Sequence, residues 1–230
     1  MIEKAMMLVK KYRKLYGIPE EVKIEVELIE QGEEELIFFQ KENKAKLRLS
    51  KWVLNDINDI SEYIAKIKLG IDYEPLLATM YFQKDLTEEE ERLASHFYTL
   101  IIPIIDAWTW KTMSMYLPEE EMEKELQELK DLWEQLELEK MMTEAKTMKE
   151  IDRRRQSISM YLIFKVLGHD ANLKLVGSEE HKKEWEEYIK DLEEIVMKTP
   201  SIEPLIELGK KYLNRDISVK EDGYRYVEIH

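Results

Sequence analysis

Cysteine is absent from this 230-residue chain. That excludes disulfides, thiolate metal sites and cysteine nucleophiles. Glycine occurs only seven times, and no two glycines are spaced as G-x-G-x-x-G or as the phosphate loop G-x-x-x-x-G-K-S/T. There is no G-x-S-x-G nucleophile elbow. The four histidines, His96, His169, His181 and His230, are far apart in sequence, and none has a second at i+4. The zinc motif H-E-x-x-H is therefore missing, and no metal or cofactor is expected. Positive charge is also in deficit: 49 acids face 35 bases, for a net charge of -14. Phosphate contacts need clustered bases, so nucleic acid is not an expected partner. The same balance argues against an anionic membrane surface. No apolar run reaches the length of a bilayer span, and the densest one is broken by Pro103 and Asp106. The opening MIEKAMMLVKKY is amphipathic with charges inside it, unlike a signal peptide, so cytoplasm is the expected compartment. Asparagine and glutamine are sparse, five and six, beside abundant Glu, Lys and Ile. That is the composition of a hyperthermophile, and it points to an archaeal source.

What is present centres on TEEEERLASHFYTLIIPIIDAWTWKTMSMYL, residues 87–117. Thr87 and Glu90 have capping-box spacing, and Glu88, Glu89 and Glu91 suit the positive end of the helix dipole. From Leu93 on, polar positions become rare, as in a buried helix. Pro103 cannot donate to the carbonyl of Thr99, so a kink is expected there. His96, Thr99 and Asp106 form the first candidate polar site. Two readings stand: a hydrogen-bond network that satisfies the kink, or a functional site. Ten residues at about 100° each place His96 and Asp106 on adjacent faces, so they are no ready-made ligand pair. Asp106 lies among Ile104, Ile105, Ala107 and Trp108, and is expected to be buried and bonded by Thr109, His96 or a base from another helix.

The chain in order opens with a helix over residues 2–16, with Ile2, Met6, Val9, Tyr12, Leu15 and Tyr16 as its apolar side. Gly17 caps it and Pro19 stops it. Residues 22–28 alternate as a strand, residues 36–40 and 45–49 follow after turns, and the three together predict an antiparallel meander. Helices are expected over residues 55–69, ended by Gly70, and over 74–83. After the central helix, residues 119–148 carry Met122, Leu126, Leu129, Trp133, Leu136 and Met141 on one stripe. That stripe packs either inside the chain or against a second copy. Its acidic remainder reads as a solvated face. Further helices cover 151–167, 178–198 and 202–213. The tail, with Asp222-Gly223 as a type I′ turn, predicts a hairpin over 217–229 added to the sheet.

Of the remaining polar groups, His169 follows the cap Gly168 as a helix-end cation. His181 lies among Glu179, Glu180 and Glu184 as a surface residue, and His230 is terminal. Arg153, Arg154 and Arg155 are the one compact basic cluster. They read as salt bridges to the preceding acidic helix, or as an anion contact.

The order helix, strands, then LRLSKWVL leading into DISEYIAKIKLG resembles the opening of zincin-like metallopeptidases. In that family an edge strand precedes the helix that carries H-E-x-x-H. The resemblance covers the first third of the chain and implies a member without the metal, since the corresponding helix offers Tyr63 and Lys66 and no histidine. It carries over no catalytic residue.

The expectation is a single α+β domain over 1–230, mostly helical. It would have a small antiparallel sheet from residues 1–50, a helical body over 51–213 and a hairpin over 214–230. The function expected is that of a non-enzymatic protein acting through protein partners or self-association. A degenerate zincin-like protein, or a hydrolase using Asp and Glu without a visible motif, is the alternative.

Overall fold

The longest helix among the described residues, α4 (Glu88–Tyr116), is the element the others pack around. The structure, a computed structural model, describes residues 2–30, 34–50, 58–135, 148–173 and 178–230. Of residues 58, 59, 135, 148–155 and 181 it describes the backbone alone. The expected start of α4 is present: Thr87 accepts from the Glu90 N–H, and the Thr87 N–H donates to Glu90 Oε2 at 2.7 Å. From Ile101 to Met113 nearly every side chain is buried. Against it lie α2 (Asn58–Asp72), α6 (Met148–Val166), α7 (Glu179–Val196) and α8 (Glu203–Leu213). Trp108 reaches across to donate its indole N–H to the Val196 carbonyl at 3.0 Å, so burying that ring leaves no orphan donor. One apolar cluster runs through these helices and the inner faces of both sheets.

α1 (Ile2–Leu15) packs on α2 and on the first strand. β1 (Lys23–Ile29), β2 (Glu35–Phe39) and β3 (Lys44–Ser50) form a sheet of order β1-β3-β2. This corrects the expected meander. β3 is central, parallel to β1 and antiparallel to β2. Alternation buries Ala45, Leu47 and Leu49 and turns Lys44, Lys46 and Arg48 outward. The outward carboxylates are on the flanking strands: Lys44 meets Glu25, Lys46 meets Glu27 at 2.6 Å, and Arg48 meets Glu27 and Glu35. A meander would have put Glu25 and Glu27 beside Glu35, and like charges across strands are destabilising.

α2 runs through Gly70 rather than ending there. A Cβ at Gly70 would stand 2.5 Å from that of Ala78, so the glycine serves a close approach and not a cap. The expected helix over 74–83 is only α3 (Pro75–Ala78), one turn capped by Glu74. The chain then extends because it is held from both sides. Thr79 Oγ1 accepts from the Phe38 N–H and donates to the Leu36 carbonyl. The Tyr81 carbonyl accepts from the Val227 N–H at 2.7 Å. α5 (Glu119–Gln135) starts where expected; residues 136–147 of the expected helix lie outside the described residues. Its stripe packs within the chain, with Met122, Leu129 and Trp133 on the core and Trp133 edge-on to Phe164.

The tail is a hairpin, β4 (Ile217–Glu221) and β5 (Arg225–Ile229), but it forms a sheet of its own. Glu221 pairs with Arg225, leaving three loop residues, of which only Gly223 has positive φ; a type I′ turn needs two. The hairpin reaches the rest through a parallel bridge of Phe82 to Val227 and through Gln40, which bonds both backbone groups of Arg225. The class is α+β and mostly helical, as expected. Among the described residues no helix is long and apolar enough to cross a membrane.

Candidate functional site

Three helices bring polar side chains together at one half-buried place, the charges from two of them and a serine from the third. Glu62 and Lys66 are one turn apart on α2, with the acid N-terminal to the base, and pair at 2.9 Å. Lys66 Nζ also lies 3.5 Å from Asp106 Oδ1 on α4. Ser159 of α6 donates to Asp106 Oδ2 at 2.9 Å. The side chains of Lys66 and Asp106 keep 18% and 23% of their exposure, so Asp106 is half-buried rather than fully buried as expected.

The other expected partners of Asp106 are elsewhere. Thr109 donates to the Ile105 carbonyl one turn back. Thr99 does the same to Ser95, and His96 is exposed. Ten residues of helix separate His96 from Asp106 by about 15 Å along the axis, so the three candidates do not form one site. α4 continues through Pro103, and Tyr188 of α7 reaches the turn before the break. Its hydroxyl donates to the Leu100 carbonyl at 2.8 Å, next to the Thr99 carbonyl that the proline leaves without its usual donor.

Electrostatics follow from two acids sharing one base. Burial disfavours the Lys66 ammonium, but Glu62 and Asp106 outweigh that and hold its pKa above the usual lysine range. Burial lifts the Asp106 carboxyl; Lys66 pulls it down, Glu62 pushes it up, and the net direction is upward. An ammonium so held is a poor base. Ser159 donates its hydroxyl proton to the Asp106 carboxylate. Asp106 alone has acid–base character. It opens, with Glu62, on a pocket of about 420 Å³ walled by Trp110, Leu129 and Ile163. Lys66 lines a second pocket of about 460 Å³, with Tyr63 and Tyr98, so the ion pair lies between the two. Among the described residues no three His, Asp or Glu side chains are grouped to hold a metal.

The side chains of Arg153, Arg154, Arg155 and His181 lie outside the described residues. His169 closes the end of α6, its N–H on the Phe164 carbonyl. His230 is held rather than loose, with its N–H on the Asp216 carbonyl and its ring 2.8 Å from Glu228.

A second feature was missed from sequence. Of the expected stripe, Val9, Tyr12 and Tyr16 are buried, beside Ala5 and Leu8, and Leu15 packs partly on the core; only its first members, Ile2 and Met6, face outward. Ile2, Met6 and Met7 keep 45%, 50% and 64% of their exposure. With Val9, Lys10 and Ile24 of β1 they line an open groove of about 760 Å³. The helix bears Lys4, Lys10, Lys11, Arg13 and Lys14 against the single acid Glu3, on a chain that is acidic as a whole. The signal was there: α1 has apolar residues on more of its circumference than one core contact can cover. Which of them face the core is set by α2 and β1, which sequence periodicity does not show.

Compared with family models, curated proteins and solved structures, the chain matches none.

Proposed function

We propose that this chain works through protein–protein contact and that its contact face is the groove along α1. The observation that carries this is the adjacency of exposed Ile2, Met6 and Met7. Large apolar side chains grouped on a charged surface mark an interaction site more often than they occur idly. Methionine suits the role, because its unbranched thioether adapts to a partner's shape. A photo-crosslinking amino acid in place of Met7 tests the reading in living cells, with the same group at exposed Met197 as the control. A discrete protein adduct from position 7 and none from 197 is expected. Equal or absent adducts at both overturn the reading.

A second reading has one observation behind it. Asp106, raised in pKa beside Glu62 at a pocket mouth, has the character of a hydrolase acid–base group. Hydrolysis of a panel of ester, phosphoester and glycoside substrates, lost in Asp106→Asn while folding is kept, would favour it over docking.

A further inference from the structure

We infer that the occupant of the α1 groove is a second copy of this chain, docked α1 against α1 in antiparallel orientation. This rests on the docking reading above and names its partner. The argument starts from how charge is laid out along the groove. Glu3 and Lys10 both line it and are seven residues apart, two helical turns on one face. Met6 and Met7 lie midway between them. A two-fold axis passing between Met6 and Met7 therefore sets Glu3 of each copy opposite Lys10 of the other, and the methionines against each other. An interface of this kind is isologous, each contact occurring twice.

The groove's other charges are Arg13 and Glu20. Arg13 is engaged at home, donating to the carbonyls of Ile18 and Pro19, and does not compete for Glu3. Lys11 is held by Glu121 at 2.7 Å. Orientation follows from the remaining bases. Lys10 and Lys14 are exposed at the C-terminal end of α1, and Glu3 is at the other. A parallel pair would bring the basic ends together, whereas an antiparallel pair lays each basic end over the opposite end, where Lys4 offsets Glu3 and the charge is near zero. Two chains of net charge -14 repel at a distance. α1, with five bases to one acid, is an element on which a second copy meets little of that repulsion. Burial of Ile2, Met6, Met7 and Ile24 supplies the attraction, and the Glu3–Lys10 pairs supply the register.

Sedimentation velocity over a dilution series of the full chain tests this. The expected result is a species of twice 27.7 kDa that dissociates on dilution. Glu3, Met7 and Lys10 are exposed, so substitutions there leave the core untouched, which circular dichroism checks. Met7→Glu should abolish the dimer. Glu3→Lys alone should weaken it by about tenfold or more, by placing like charges opposite. Glu3→Lys combined with Lys10→Glu should restore it. A chain that stays monomeric at every concentration overturns the inference, as does a dimer indifferent to Met7→Glu or a double exchange that fails to restore. The crosslink at position 7 separates this failure from that of the docking reading. An adduct to a different protein refutes the second copy and leaves docking standing, while no adduct refutes both.

Discussion

The outer face of the sheet and the centre of the helical body solve the same problem in different solvents. In each, bases lie between acids. On the sheet, Lys44, Lys46 and Arg48 of β3 face Glu25, Glu27 and Glu35 in water. Inside, a single Lys66 lies between Glu62 and Asp106 with most of its surface removed from water. Exposed pairs contribute little to stability because water and salt screen them. Their value on the sheet is in choosing neighbours: the basic strand belongs between the acidic ones, whatever the chain order. In the interior the attraction is stronger and so is the desolvation that opposes it. Burial first and Glu62 second hold the pKa of Asp106 above its usual range in spite of Lys66. Charge is thus matched across strands on the sheet and set against desolvation in the helical body.

The largest break in this comparison comes from Lys66→Met. The thioether keeps the length of the stem, and two carboxylates are left facing each other without a counter-charge. A loss of about 3 kcal/mol is expected, read by urea denaturation at neutral pH. Adding Glu62→Gln and Asp106→Asn to the same chain should recover most of it, since amides need no counter-charge. A loss below 1 kcal/mol would place Lys66 with the surface pairs.

Asp106→Asn is the next in size, and its pH dependence sharpens the point. The amide oxygen still accepts from Ser159, so the expected cost near neutrality is only about 1 kcal/mol. The sign of the pH effect follows from the direction of the shift. A carboxyl whose pKa is raised on folding binds its proton first in the folded state. Its contribution is fully present below the unfolded pKa and is lost as pH rises through the folded one. The advantage of wild type over the Asn variant should therefore grow as pH falls from neutrality towards about 4. Denaturation of both proteins across that range checks it, and an advantage that shrinks instead would mean the anion is favoured by the fold.

Much of this was legible and some was not, for reasons that particular residues show. The capping box at Thr87 and Glu90 is a local device, written within four residues, and it forms as read. The tail's alternation gave the hairpin, but its loop is set by register with Gly223, and two residues of Asp-Gly chemistry did not decide it. Asp106 was legible as a residue that needs partners. Which partners it has was not, because Ser159 is 53 residues away and Lys66 is on a helix whose rotation only packing fixes. Gly70 looked like a helix end because glycine more often ends helices than lets them touch. The strand order left a trace in the pattern: three outward bases on one strand, with outward acids on the other two, favour the basic strand in the middle.

That last point gives the smallest and most specific test. If cross-strand charge sets the order β1-β3-β2, then Lys46→Glu puts an acid beside Glu25 and Glu27 and removes the 2.6 Å pair. The hydrophobic face, Ala45, Leu47 and Leu49, is unchanged and still favours burial, so the sheet should persist. A fall in Tm of about 2–4 °C is expected, as for a loss near 1 kcal/mol in a chain of this size. Two controls separate charge from propensity. Raising salt should shrink the difference, because these groups are solvent-exposed. Reversing the partner as well, Glu27→Lys with Lys46→Glu, rebuilds the pair with its sign exchanged, though it also sets the new lysine beside Arg48. Recovery should therefore be partial. Equal Tm in the single and the compensated variants would mean that side-chain packing alone orders these strands, and that the charges merely decorate an order chosen by the core.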